Sequence, residues 1–216
     1  MSRFKGEPET AHQRNSLFAI ELVDVVTMER VSDGVKVAGE GLPKPIVNGS
    51  GLFVWPGVEA DFAKLRGISI DPDLLPYEKV ELKPADVLRP LMTVQLRPRV
   101  SYPFAAGITG IRGALIEELP PRPRVPVPHA DVFLRWLDEH GVWREAPTIS
   151  RTETNGDFAA IVRLAPDDLP LLDPKGAMTV RLRVRRNFNE RGTADMKLAQ
   201  GRIADALTFA WDELRP

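Results

Sequence analysis

Three histidines, His12, His129 and His140, are the chain's only imidazoles, and its cysteine count is zero. Nucleophilic hydrolysis of the Ser-His-Asp kind needs a histidine base beside a serine. The G-x-S-x-G elbow that presents such a serine is absent, and Gly49-Ser50-Gly51 has the wrong spacing. His12 lies in a polar N-terminal stretch, His129 closes a proline-rich loop, and His140 sits in the turn "DEHG". All three read as solvated loop residues. Without cysteine there is no thiolate nucleophile, no disulfide and no thiolate metal site. Acids fare no better as ligands. Asp138, Glu139 and His140 are consecutive, so a strand cannot point them all one way. Asp71, Asp73 and Glu78 offer hard oxygens to calcium but lack the spacing of a calcium-binding loop. These, with Asp167, Asp168 and Asp173, read as solvated turn acids. "AGEGLPKP" holds a lone G-x-G with no third glycine and no following helix, which is not a phosphate loop. No catalytic residue, cofactor or metal is expected.

The arginines carry more. In "AMTVRLRVRRNFNERG", Arg181, Arg183, Arg185 and Arg186, followed by Arg191, form a comb along one strand, with Val180, Leu182 and Val184 on the opposite face. Such a comb meets an anionic partner: phosphate, an acidic glycan or an acidic protein surface. Alternatively it is a solvated face balanced by nearby acids that also guards the sheet against edge pairing. Lys and Arg number 29 against 30 Asp and Glu, a net charge of -1, which argues against nucleic acid and leaves acidic protein surfaces open. Of the tryptophans, Trp55, Trp136, Trp143 and Trp211, the last two have polar neighbours and are the surface candidates. Their rings suit a protein interface or a stacked sugar, although tryptophan also fills sandwich cores.

These side chains must be positioned by strands. At 43% hydrophobic and 27% charged, the 216 residues can build a core, and 20 prolines are about twice the usual share. Proline breaks helices and punctuates strands. Strand patterns run over 17–26, 91–98, 130–137, 142–150 and 177–186, and 46–55 reads as a hairpin around Asn48-Gly49. "RIADALTFAWDELRP" fits a helix or a strand, and the β context favours a strand. In "RTETNGDFAAIVRL" the sequence predicts a type I′ turn, with Asn155 and Gly156 both at positive φ, leading to a strand with Phe158, Ala160 and Val162 on one side. No run approaches the ~18 apolar residues of a membrane span, and "MSRFKGEPETAHQRN" has no apolar leader core. The expectation is a soluble cytoplasmic chain with no membrane insertion. The organisation expected is a flexible tail over 1–15, a β-sandwich over 16–100 and a second over 101–216, with a stiff polyproline-like loop at 120–128. "VNGSGLFVW" and "TNGDFAAIV" read as traces of an internal duplication.

One resemblance emerges. "GITGIRGALI", "ADVFLRWL" and "RTETNGDFAAIVRL" together resemble the carboxypeptidase regulatory-like, transthyretin-like β-sandwich. That family's T-x-x-x-G-x-F turn is matched by Thr152 or Thr154, Gly156 and Phe158. The resemblance covers 105–214 and touches the first half only at Ser50–Trp55. It implies an all-β chain of two Ig-like or transthyretin-like sandwiches in tandem, of the non-catalytic kind appended to enzymes, surface proteins or phage and injection-machine parts. The transthyretin-like hydrolases of purine breakdown carry a C-terminal tyrosine motif, where this chain has "WDELRP". The expected function is a non-enzymatic structural or interaction subunit. It docks other protein subunits of an assembly through sheet faces, the loop at 120–128 and the arginine comb, and a phage tail or contractile injection apparatus is the setting by analogy. The alternatives are a carbohydrate- or receptor-binding module through Trp143 or Trp211, and a small hydrolase through His129 or His140.

Overall fold

The computed structural model describes residues 16–118 and 123–216. The expected tail at 1–15 and the start of the expected proline loop, 120–122, lie outside the described residues. The chain is nearly all β and divides into two compact units. One comprises the described residues up to Leu22, Arg30–Asp73 and Lys79–Val94; the other comprises Val23–Glu29, Leu74–Glu78 and Gln95–Pro216.

In the first unit, β1 (Ser16–Asp24), β3 (Ile46–Val47), β4 (Phe53–Pro56) and β7 (Leu91–Leu96) form a sheet of order β3-β4-β1-β7. A second sheet holds β2 (Lys36–Glu40), β5 (Gly67–Asp71) and β6 (Val80–Leu82), all antiparallel. Alternating side chains of β1 and β4 bury Phe18, Ile20, Phe53 and Trp55. Phe18 stacks on Trp55 at 4.6 Å between centroids, and Phe62 of the short helix α1 (Glu59–Phe62) meets Phe18 edge-on at 5.9 Å. The predicted β3–β4 hairpin forms, with a wider connection than a two-residue turn: Val47 pairs with Phe53. The side-chain oxygen of Asn48 accepts the N–H groups of Ser50 (3.0 Å) and Leu52 (2.9 Å), and Gly51, not Gly49, takes positive φ (+76°).

The second unit opposes two sheets. One holds β9 (Asp131–Leu137), β10 (Trp143–Arg151), β12 (Ala177–Arg186), β13 (Asn189–Gly192) and β14 (Met196–Ala199), ordered β10-β9-β12-β13, with β14 also on β12. The other is β11-β8-β15, from β8 (Thr109–Ile116), β11 (Asp157–Val162) and β15 (Ile203–Ala210), with β15 parallel to β8. The core between them draws on both: Ile111, Leu115 and Phe158 from one sheet, and Leu134, Trp136 and Leu182 from the other. The segment that fitted helix or strand is therefore a strand as far as Ala210. It carries a bulge at Asp205–Ala206, where Ala206 has φ +59°, and ends in a 3-10 turn at Trp211–Glu213.

The turn in "RTETNGDF" departs from type I′. Only Gly156 is left-handed (φ +83°); Asn155 contributes its side chain, which accepts the Asp157 N–H at 3.0 Å. A Cβ at position 156 would lie 2.4 Å from the Leu115 carbonyl, so the approach of two backbones selects glycine. The turn carries the chain from β10 in one sheet to β11 in the other, whereas the Asn48 turn closes a hairpin within one sheet. The similarity of the two Asn-Gly stretches is thus one of sequence, not of topology. Strand β11 also differs from the one-sided expectation, since Phe158 through Val162 are all buried. The hydroxyls of Ser150 and Thr148 on β10 reach across to the carbonyls of Ala159 and Ile161, covering the face that alternation assigned to solvent.

Candidate functional site

The candidate site is built on the outer face of the five-stranded sheet, in three cross-strand rows. Arg151, Asp131, Arg185 and Glu190 lie side by side across β10, β9, β12 and β13. The next row is Ile149, Phe133, Arg183 and Gly192, and the third brings together Glu145, Arg135 and Arg181. Alternation along β12 puts Val180, Leu182 and Val184 in the core and Arg181, Arg183 and Arg185 outside, as the period of two predicts. Arg186, the next residue, turns to the other side and pairs with Glu117 at 2.6 Å. It does not belong to the comb, because consecutive strand residues face opposite ways.

Acids interleave the comb. Arg181 pairs with Asp195 (2.6 Å), Arg183 with Glu145 (2.9 Å) and Glu190 (3.3 Å), and Arg185 with Asp131 (2.9 Å), which Arg151 also reaches (3.1 Å). Burial pushes the Asp131 carboxyl upward, but the hydrogen bonds and charges of Arg185 and Arg151 outweigh it and hold the carboxyl below the usual range. Below the charges lie aromatic rings. The guanidinium of Arg183 sits 4.7 Å and that of Arg185 5.1 Å from the Phe133 centroid, which leaves this outward-facing ring only 4% exposed. Arg181 covers Trp143 at 4.2 Å on this face; Arg191 pairs with core-facing Val184 and so, like Arg186, leaves the comb for the opposite side, where it covers Trp211 at 4.8 Å while donating to the Trp211 carbonyl at 2.7 Å. Arginine stems and guanidinium planes cover apolar rings readily. The two tryptophans singled out from sequence are both half-buried, while Trp55 and Trp136 are core. Arg181 thus occupies one face of the Trp143 ring on which a sugar could stack.

The histidines are placed apart from this face. His129 has φ +57° and gives its N–H to the Thr152 carbonyl (3.0 Å); His140 stands 3.5 Å from Glu139 beside a hollow of about 210 Å³ that also meets Asp138, Asp167 and Asp168. His12 lies outside the described residues. Buried Asp138 accepts the N–H groups of Val142 (2.7 Å) and His140 (3.0 Å) and the Arg144 guanidinium (2.9 Å). The Val142 bond above all holds its carboxyl low, the opposite of what a proton-accepting base requires. Asp71 and Asp73 are taken up by Lys79 (2.6 Å) and Lys36 (3.0 Å). Among the described residues no group of three or more His, Asp or Glu is placed to hold a metal ion, and no helix is long and apolar enough to cross a membrane.

Three residues of this region escaped sequence reasoning. Arg135 and Arg215 reach the same face from β9 and from the C-terminal segment, and neither has an acidic partner among the described residues. Phe188, fully exposed at the tip of the β12–β13 hairpin, is the third. Its signal was the asparagine-flanked aromatic in "RNFNE", a polar turn with one apolar member, where Asn187 adopts φ +43°.

The fold and this face define an all-β chain of sandwich type. No protein-family model matches it, and no curated protein matches it significantly. Among solved structures, one match is "The Bacillus anthracis TIE protein", with 12% identity and a TM-score of 0.28, covering 88% of this chain and 33% of that one. The chain therefore spans about a third of that structure's length, and a likeness of this size carries no argument.

Proposed function

We propose that this chain is a non-enzymatic interaction subunit. It docks other protein subunits through the arginine- and aromatic-bearing outer face of the five-stranded sheet and the hairpin tip beside it. The observation that carries this reading is composition at one place: Phe133, Trp143 and Phe188 together with Arg135, Arg181, Arg183 and Arg185 on a single sheet. Aromatics and arginine are the residue types enriched at interface centres, where rigid rings and planar guanidinium groups bury area at low entropic cost. The resemblance to transthyretin-like modules supplies the setting, an assembly of the phage-tail or contractile-injection type. The test is affinity capture of the tagged chain from its native host, with partners identified and the eluate imaged, for the wild type and for Phe188→Ser. Because Phe188 touches solvent all round, its loss leaves the melting temperature unchanged, and partner recovery falls. Equal recovery by the variant, or a wild-type chain that elutes alone, overturns the reading.

A further inference from the structure

Between two arginines of this face lies a gap. Gly192 pairs with Arg183 on one side and, through reciprocal backbone bonds of 2.7 and 2.9 Å, with Arg215 on the other. Directly opposed residues project to the same face of a sheet. The row therefore runs Phe133, Arg183, Gly192, Arg215, and the glycine leaves a hollow between two guanidinium groups. A bulge deepens it. Between β13 and β14 the ladder on β12 is interrupted; the Thr193 N–H bonds the Leu182 carbonyl at 2.9 Å, and the Thr193 hydroxyl accepts the Leu182 N–H at 3.0 Å in place of a backbone carbonyl. Ala194 and Asp195 are thus carried out of register. Bulges commonly re-aim side chains beside functional sites.

The result is a cavity of about 590 Å³ lined by Arg135, Arg181, Arg183 and Arg215, with Glu190 and Asp195 as its acids. Its volume falls within the roughly 300–1,000 Å³ of small-molecule sites. Arg191 also lines it but turns its guanidinium to Trp211, and Glu145 joins these acids from the neighbouring strand through Arg183. The acids are committed to Arg181 and Arg183, which leaves Arg135 and Arg215 without carboxylate partners among the described residues. The buried Nε groups of Arg135 and Arg183 have no acceptor among the described residues either. Guanidinium groups without carboxylate partners that line one hollow favour an anionic ligand at their solvent-facing N–H groups.

We propose that this cavity binds a small, multiply charged oxyanion, a phosphate- or carboxylate-bearing molecule, held by Arg135, Arg183 and Arg215 over Gly192. The site shares Arg135, Arg181 and Arg183 with the docking face but does not rest on that reading, since anion binding needs only the isolated chain. The test is calorimetric titration of the purified full chain with pyrophosphate and, separately, with citrate, which distinguishes the phosphate source from the carboxylate source. Saturable one-to-one binding of either anion is expected. Arg215→Gln weakens it by about tenfold or more, and Gly192→Leu, which fills the hollow, abolishes it. Arg66→Gln, which removes an exposed arginine paired with Glu40 far along the chain, leaves it unchanged. A Cβ at Gly192 lies 3.3 Å from the Leu182 carbonyl, so thermal melting accompanies that variant, and Arg215→Gln decides the matter if it fails to fold. No saturable heat with either anion, an equal loss in Arg66→Gln, or binding of a glutamate-rich peptide but neither small anion overturns the proposal. Failure here leaves partner capture untouched, and failure of partner capture leaves this titration untouched.

Discussion

Single residues set the tightest constraints. At Gly156 a methyl group would sit 2.4 Å from the Leu115 carbonyl on a backbone with φ +83°. Gly156→Ala should cost about 2–4 kcal/mol, combining left-handed strain and a backbone clash; denaturant melts read this as a lower midpoint at unchanged slope, and a neutral effect contradicts the geometry. Thr152, buried beside it, accepts the Ala130 N–H at 2.8 Å with its hydroxyl and explains why a threonine opens this turn. Glu78 is set the other way. Burial, helped by Glu153, pushes its carboxyl up despite Arg97 and Arg151. A carboxyl whose folded pKa is raised contributes stability that is complete below its unfolded pKa and is lost as pH rises through the folded value. Glu78→Gln should therefore raise the melting temperature at pH 7 and not at pH 4. An equal gain at both pH values assigns the effect to something other than charge.

At the scale of elements, strand β9 is the hinge of the outer face because Asp131 ties β10 and β12 to it through Arg151 and Arg185. Its carboxyl is held below the unfolded value, so its contribution is present above that value and fades as pH falls through the folded one. Asp131→Asn should destabilise the chain at pH 7 by about 1 kcal/mol, the scale of partly exposed ion pairs, and flatten the loss of stability on acidification. A variant that melts in parallel with the wild type from pH 7 downward shows the row to be idle. The end of β1 is anchored differently. Buried Asp24 accepts hydrogen bonds from the Val26 N–H (2.7 Å) and from the hydroxyls of Thr27 (3.0 Å), Tyr77 (3.2 Å) and Tyr102. Burial and then the Asp24 charge push the Tyr77 phenol up to about 12. Both loop tyrosines are thereby kept neutral and tied to one strand end.

For the whole molecule, near-neutral charge coexists with a locally cationic face. Screening shortens from about 10 Å at 0.1 M salt to about 3 Å at 1 M, which weakens long-range attraction but not packed aromatic contact. Most guanidinium groups on this face are already balanced by their own acids. Partner capture should consequently survive high salt; recovery at low salt only would show a steering contact in place of a docked subunit.

Local chemistry made much of this legible. Alternation marked β12 and its arginines, since a period of two needs no knowledge of neighbours. Proline frequency and short β-branched runs marked an all-β chain, and Asn48 and Gly156 marked turns. What local chemistry could not contain is which strands lie side by side. Acids paired with the comb come from 131, 145, 190 and 195, and these meet only when sheet order places them together. The cover over Trp143 and Trp211, the double-sided burial of β11 and the hollow over Gly192 arise in the same way. Side-chain periodicity is a property of one strand and is written in the sequence. Register across strands depends on long-range pairing, and it decided which charges are balanced and which are not.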